Sequence, residues 1–118
     1  MDEVEKLAEV FKALSDPTRL RLIKLLSECS SQPDECGGGS LCVNALTSRL
    51  DVTQSAVSQH LRILRQAGIV RGERRGQMVH YSLDKDGLDN YKSSLGEVLG
   101  DDFARVWNVF LLYNISIR

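Results

Sequence analysis

Over the first fourteen residues, apolar side chains recur three and four apart as Val4, Leu7, Ala8, Phe11 and Leu14, with Glu3, Glu5, Lys6, Glu9 and Lys12 on the other side. That spacing predicts an amphipathic helix. Asp16-Pro17 then sets a capping side chain before a proline at the first helical position. Leu20, Leu22, Ile23, Leu25 and Leu26 follow, apolar around most of the circumference, so this second helix is expected to be the buried one. From Ser27 to Ser40 the pattern stops, and Ser, Gln, Pro, Asp and the glycines Gly37 to Gly39 predict a loop. The helical period resumes at Leu41, with Leu41, Ala45, Leu46 and Leu50 inward on a short helix over 41–50. After the turn at Asp51-Val52, Thr53 is placed to cap a helix over 54–67, and Gly68 is placed to end it as the left-handed residue.

Two short helices joined by a tight turn predict a helix-turn-helix. Beyond it the period shortens: Ile69–Arg74 and Gln77–Leu83 read as strands hinged near Arg75-Gly76, a β-hairpin in the place of a wing. Leu88, Tyr91, Leu95, Val98 and Leu99 predict a further helix interrupted by Gly96 and Gly100, and Asp101 is placed to cap a last one carrying Phe103, Val106, Trp107 and Phe110. The expected fold is mostly α with a small β-hairpin, a single winged helix-turn-helix domain over 1–118. Its helix-turn-helix spans 41–67, its wing 69–83 and its C-terminal dimerisation segment 88–113.

Composition sharpens this reading. A chain of 118 residues, 42% hydrophobic and 26% charged, fits one soluble domain. It carries more apolar helix than one small core can bury, which predicts a homodimer joined through residues 4–14 and 88–113. No apolar run approaches a membrane span and the N-terminus is acidic, so no membrane partner is expected and the location is read as cytoplasmic. Cys29, Cys36 and Cys42 are an odd set, which predicts thiols that are free or bound to a ligand and no disulfide framework.

The net charge of −1 hides an uneven distribution. Residues 49–80 hold six arginines against Asp51 and Glu73, net +4, while the flanking stretches are net −3 and −2. A basic centre between acidic flanks marks an anion-binding surface. On the 54–67 helix, Val57, Leu61 and Leu64 share one face, and Ser55, Ser58, Gln59, Arg62 and Gln66 the opposite one. Ser, Gln and Arg hydrogen-bond to phosphates and base edges, so this face suits the major groove. Arg71, Arg74 and Arg75 are expected around the wing tip with Gly76 and Gln77. The candidate DNA-binding set is Thr53, Gln54, Ser55, Ser58, Gln59, Arg62, Arg65, Arg74, Arg75 and Gln77, with Ser58, Gln59 and Arg62 reading bases and Arg74 and Arg75 holding phosphates. The alternatives are an ordinary solvated helix face, or a winged-helix protein-interaction module without sequence-specific DNA binding. No phosphate loop or nucleophile–base arrangement points to an enzyme.

The run Asp16-Pro17-Thr18-Arg19-Leu20, the segment Gln54 to Val70 with Ser58-Gln59-His60-Leu61, and the hairpin Arg74-Arg75-Gly76-Gln77 leading to His80-Tyr81-Ser82-Leu83 together resemble the ArsR/SmtB family of winged helix-turn-helix repressors. The resemblance covers roughly residues 4–99. It implies a cytoplasmic homodimer, joined through its first and last helices, that binds a double-stranded DNA operator and releases it when an effector, often a metal or metalloid ion, binds.

The effector chemistry departs from that pattern. Metal-sensing members carry a Cys-x-Cys pair on the first helix of the motif, and here Leu41-Cys42-Val43-Asn44 keeps one thiol. Residues 84–118 contain neither His nor Cys, against a zinc site on the last helix. Three readings of Cys29, Cys36 and Cys42 stand: ligands for a thiophilic metal or metalloid, a disulfide between Cys29 and Cys36, or no role at all. The effector is unassigned. His60, between Ala56 and Leu64 on the helical wheel, is expected to be a hydrogen-bonded histidine at the core edge, and His80 to face solvent. Trp107 and Phe110 are read as dimer core.

Overall fold

The computed structural model describes residues 2–31 and 39–100, together with Arg105 and Val109. Helix α1 runs over Glu3–Leu14 and α2 over Pro17–Ser31. The strand β1, Leu41–Cys42, leads without a break into α3, Val43–Arg49, and α4 spans Gln54–Gln66. Strands β2 (Val70–Arg75) and β3 (Met78–Leu83) form the wing, and α5 covers Lys85–Leu99. The expected winged helix-turn-helix is present. Trp107, Phe110 and the helix expected after Asp101 lie outside the described residues, as does Cys36.

The helix ends follow local chemistry. The Asp2 carboxylate accepts from the Glu5 amide at 2.8 Å, Asp16 from the Arg19 amide at 3.0 Å, and Asp84 from the Gly87 amide at 3.0 Å. Helix α4 closes in a Schellman motif: the Ile69 amide donates to the Leu64 carbonyl and the Gly68 amide to the Arg65 carbonyl, both at 3.0 Å. The motif requires positive φ after the cap, and Gly68 supplies it at 75°. Leu64 and Ile69, brought together by that geometry, are fully buried.

Several boundaries differ from the expectation. Leu41 and Cys42 are strand, with Leu41 opposite Tyr81 and Cys42 opposite His80, so the sheet has three antiparallel strands in the order β1-β3-β2. Residues Ser27–Ser31 are helical, and Cys29 among them is fully buried beside Leu22 and Leu26. Leu20 is half exposed, so α2 is buried on one face only. Gly96 does not interrupt α5, which ends at Gly100 with φ 86°. In α1 the buried residues are Leu7, Val10 and Ala13, whereas Val4 (61% exposed) and Phe11 (50%) face away from the core.

The core gathers Val57, Leu61 and Leu64 of α4 against Leu22, Leu26 and Leu46, so α4 is seated on the core along one face. Helix α5 is tied to the end of α4. The Tyr91 hydroxyl donates to the Ala67 carbonyl, and the Asp84 amide to the Ile69 carbonyl at 2.8 Å. At the α1–α5 seam the Ser94 hydroxyl donates to Glu3, and the hydrogen bond and charge of Glu3 push the Glu97 carboxyl above its ordinary range.

Candidate nucleic-acid interface

Because α4 buries Val57, Leu61 and Leu64, its 3.6-residue period forces the residues between them outward. Every member of the candidate set (Thr53, Gln54, Ser55, Ser58, Gln59, Arg62, Arg65, Arg74, Arg75 and Gln77) is exposed. Gln54, Ser55, Ser58, Gln59 and Arg62 line one shallow depression on the surface of α4. That depression is lined by hydroxyl, amide and guanidinium groups, side chains able to hydrogen-bond phosphates and base edges.

The members differ in how far they are already engaged. Thr53 accepts from the Ala56 amide at 3.2 Å, so its hydroxyl caps the helix and also lies 3.3 Å from the Ser55 hydroxyl. The Gln54 amide donates to Asn44 on α3 at 3.1 Å, a link across the turn between the two helices. Asn44 is exposed beside this surface, and no periodicity argument brings out a contact ten residues distant. Arg62 makes one long hydrogen bond, 3.5 Å, to the Gln59 side chain, leaving most of its donors for a partner. Arg65 stands apart: a side chain at Gly72 would meet its guanidinium carbon at 3.4 Å, which places Arg65 against the base of the wing.

The wing turns at Gly76 and Gln77, with φ positive at Gly76 (64°) and not at Gln77, the signature of a type II′ hairpin. Arg74 donates to the Gly76 carbonyl at 3.4 Å, and Arg75 lies 3.7 Å from the Glu73 carboxylate in a largely exposed pair that constrains it little. Arg71 is not at the tip as expected. It pairs with Ser82, near the root of the hairpin, and borders the grooves beside Asp84 and Asp86. His80 is half-buried and 3.4 Å from the Ser40 hydroxyl, not pointing to solvent, because β1 covers that side of β3. His60 is hydrogen-bonded as expected, to Arg19 at 3.1 Å.

The cysteines divide. Cys42 is free and half-buried at the start of α3. Cys29 is disulfide-bonded, contrary to the expectation of free or ligand-bound thiols, and a sulfur in a disulfide has no thiolate to offer a metal. Among the described residues no three His, Cys, Asp or Glu side chains stand close enough to hold a metal ion.

The profile of the bacterial regulatory protein arsR family matches residues 16–71, from the start of α2 into the wing. An uncharacterized HTH-type transcriptional regulator of Methanocaldococcus jannaschii is 41% identical over 86 residues, which are 73% of this chain and 86% of that one. A transcriptional repressor SmtB homolog of Synechocystis is 38% identical over 101 residues, 86% of this chain and 66% of the relative. The solved structure of an ArsR-like transcriptional regulator from Rhodococcus superimposes with a TM-score of 0.67 at 24% identity, covering 92% of this chain and 93% of that one.

Proposed function

Since this chain belongs to the arsR family of bacterial regulatory proteins and is a DNA-binding transcriptional regulator, we propose that it acts as an effector-responsive repressor, a homodimer on an inverted-repeat operator. Ser58, Gln59 and Arg62 read base edges there, while Arg74 and Arg75 hold phosphates. The observation that carries this reading is the exposed row Gln54, Ser55, Ser58, Gln59 and Arg62, lining one depression on a helix whose opposite face is core. Between DNA binding and a protein-interaction module, family membership decides for DNA.

The dimer reading rests on apolar surface left uncovered. Val4, Phe11, Val98 and Leu99 are 61, 50, 45 and 51% exposed on α1 and α5, two helices that pack against each other. A second copy covering that surface sets two α4 helices about 34–36 Å apart, one turn of duplex. Sedimentation is expected to show a dimer at micromolar concentration, and a monomer there contradicts the reading. The expected site of action is the cytoplasm, where operator DNA is found.

The wing arginines are expected to act through charge. Replacing Arg74 and Arg75 by alanine should weaken selected and scrambled duplexes alike and reduce the slope of log affinity against log salt by about 1 for each phosphate no longer neutralised. A loss confined to the selected duplex would reassign both residues to base reading.

The disulfide on Cys29 favours one input over the others. Cys29 lies in the last turn of α2, ahead of β1 and α3 in the chain, so if its partner is Cys36 the bridge would restrain the approach to the helix-turn-helix. Closing it removes two electrons and two protons from the thiols, taken up by a peroxide or a small disulfide. Reduction restores thiolates at Cys29 and Cys36, which with Cys42 form a ligand set for a thiophilic ion. Operator affinity is expected to change between the oxidised and the reduced, chelator-treated protein. If Cys29→Ser with Cys36→Ser binds identically to wild type in every state, the signal enters elsewhere.

A further inference from the structure

Asp16 and Arg19 belong to the turn that opens α2, yet their side chains reach beyond it. Asp16 caps the helix by accepting from the Arg19 amide. The Arg19 guanidinium folds back, and its Nε donates at 2.6 Å to the Ala13 carbonyl, one of the acceptors that the end of α1 leaves unpaired. Its Nη1 then donates at 3.1 Å to Nδ1 of His60, in the middle of α4. One side chain thus joins the end of α1, the start of α2 and the reading helix.

The chemistry of this link fixes the state of the imidazole. A guanidinium carries donors and no acceptor, so Nδ1 must offer a lone pair and the ring proton sits on Nε2. Nε2 faces the Asp16 carboxylate at 4.0 Å, too far for a hydrogen bond. Among the described residues Arg19 and Asp16 are the ring's only hydrogen-bond and ion-pair partners; α1 contributes a carbonyl through Arg19, and Arg49, the one charged residue of α3, adds none. A proton on Nδ1 replaces the acceptor with a donor and sets imidazolium against guanidinium. Asp16 faces Nε2 from 4.0 Å, so a protonated ring keeps that ionic neighbour while the 3.1 Å bond to Arg19 is lost. The Asp16 carboxyl is held below its ordinary range chiefly by the Arg19 amide, so it stays ionised at neutral and mildly acidic pH and does not itself drive the change.

His60 is on the edge of α4, between buried Leu61 and exposed Gln59, with Arg62 two residues on. The apolar contacts of Val57, Leu61 and Leu64 set the depth of the helix and are non-directional. The Arg19 bond is directional and sits off-axis, so it bears on the rotation that presents Ser58, Gln59 and Arg62 together. We propose that His60 is a positioning residue for DNA reading: its neutral imidazole, held by Arg19, sets the rotation of α4, and sequence discrimination weakens as that imidazole is protonated. The inference rests on the DNA-binding reading above, with histidine as the side chain whose charge changes between about pH 5 and 8.

The chain has two histidines, so His80→Gln isolates the other. The probe is the duplex that wild-type protein selects from a randomised pool, with a scrambled duplex as reference. For H80Q the affinity ratio of selected to scrambled duplex is expected to fall about three- to tenfold from about pH 8 to about pH 6, the range of one hydrogen bond. His60→Asn keeps an acceptor near the Nδ1 position, so the H60N H80Q protein should match H80Q at the higher pH and change less than about twofold. Equal falls in both proteins, or none in H80Q, overturn the proposal. The ring's nitrogen resonances, measured without DNA, should show the Nε2–H tautomer at the higher pH and lose it in Arg19→Leu; a tautomer indifferent to Arg19 also overturns it. Selection of no duplex by wild-type protein would instead remove the DNA-binding reading and this inference with it.

Discussion

Gly87→Ala is expected to lower the thermal midpoint by roughly 10 °C, whereas Gly96→Ala, nine residues further along the same helix, should raise it. The exchange is identical and the surroundings are opposite. A Cβ on Gly87 would overlap the Gly68 carbonyl oxygen, a backbone atom inside the Schellman turn that cannot swing aside. To admit the methyl group, α5 must lift from the end of α4, straining the Tyr91 bond to Ala67 and the Asp84 bond to Ile69. Overpacking of this kind costs about 1–3 kcal/mol, occasionally more. At Gly96 a Cβ meets nothing within 4 Å, so alanine gains only the helix propensity, up to about 1 kcal/mol. Calorimetry on both variants decides it, and shifts of the same sign would show that the close approach at Gly87 is not what docks α5.

The second large effect is on recognition. Arg62→Ala should leave the fold intact, because the side chain is exposed and its one intramolecular hydrogen bond is 3.5 Å long. A bidentate arginine–guanine contact contributes about 1–3 kcal/mol of discrimination, so the affinity ratio of selected to scrambled duplex should fall about 5- to 150-fold. Arg65→Ala is the matched control: same charge, same helix, but a guanidinium resting against the wing at Gly72. It should lose affinity for both duplexes in proportion. Competition binding separates the two, and proportional losses for Arg62→Ala as well would place it among the phosphate contacts.

What is legible in the sequence is what is local. Helix α4 carries its whole description in sixteen residues: cap at Thr53, inward Val57, Leu61 and Leu64, stop at Gly68, and the outward face follows from the period. The exposed candidate residues are legible for the same reason. Strand β1 is not, because two residues have no period and their partners lie some forty residues on, at His80 and Tyr81. Without β1, His80 reads as a solvent-facing residue. The end of α2 is hidden because Ser27–Ser31 look like a loop in composition, while the burial of Cys29 holds them helical. In α1 one apolar stripe is in fact two, with Leu7, Val10 and Ala13 inward and Val4 and Phe11 outward, a division that depends on tertiary partners. The Arg19–His60 link joins residues forty-one apart and leaves no trace in periodicity.

Strand β1 also bears on how the protein meets a duplex whose groove width varies. Cys42, opposite His80, is followed at once by the first residue of α3, and His80 is in turn opposite Glu73. The root of the wing is therefore stitched through β1 to the first helix of the helix-turn-helix, along one edge of its central strand. Only residues 74–79 project past that row, a reach of about 7–10 Å at the usual rise per strand residue. Compliance is thus confined to the tip, where Arg74, Arg75 and Gln77 are carried. On the DNA-binding reading proposed above, such an arm would follow a narrower or wider groove while α4 keeps its register, separating accommodation of DNA shape from the reading of sequence.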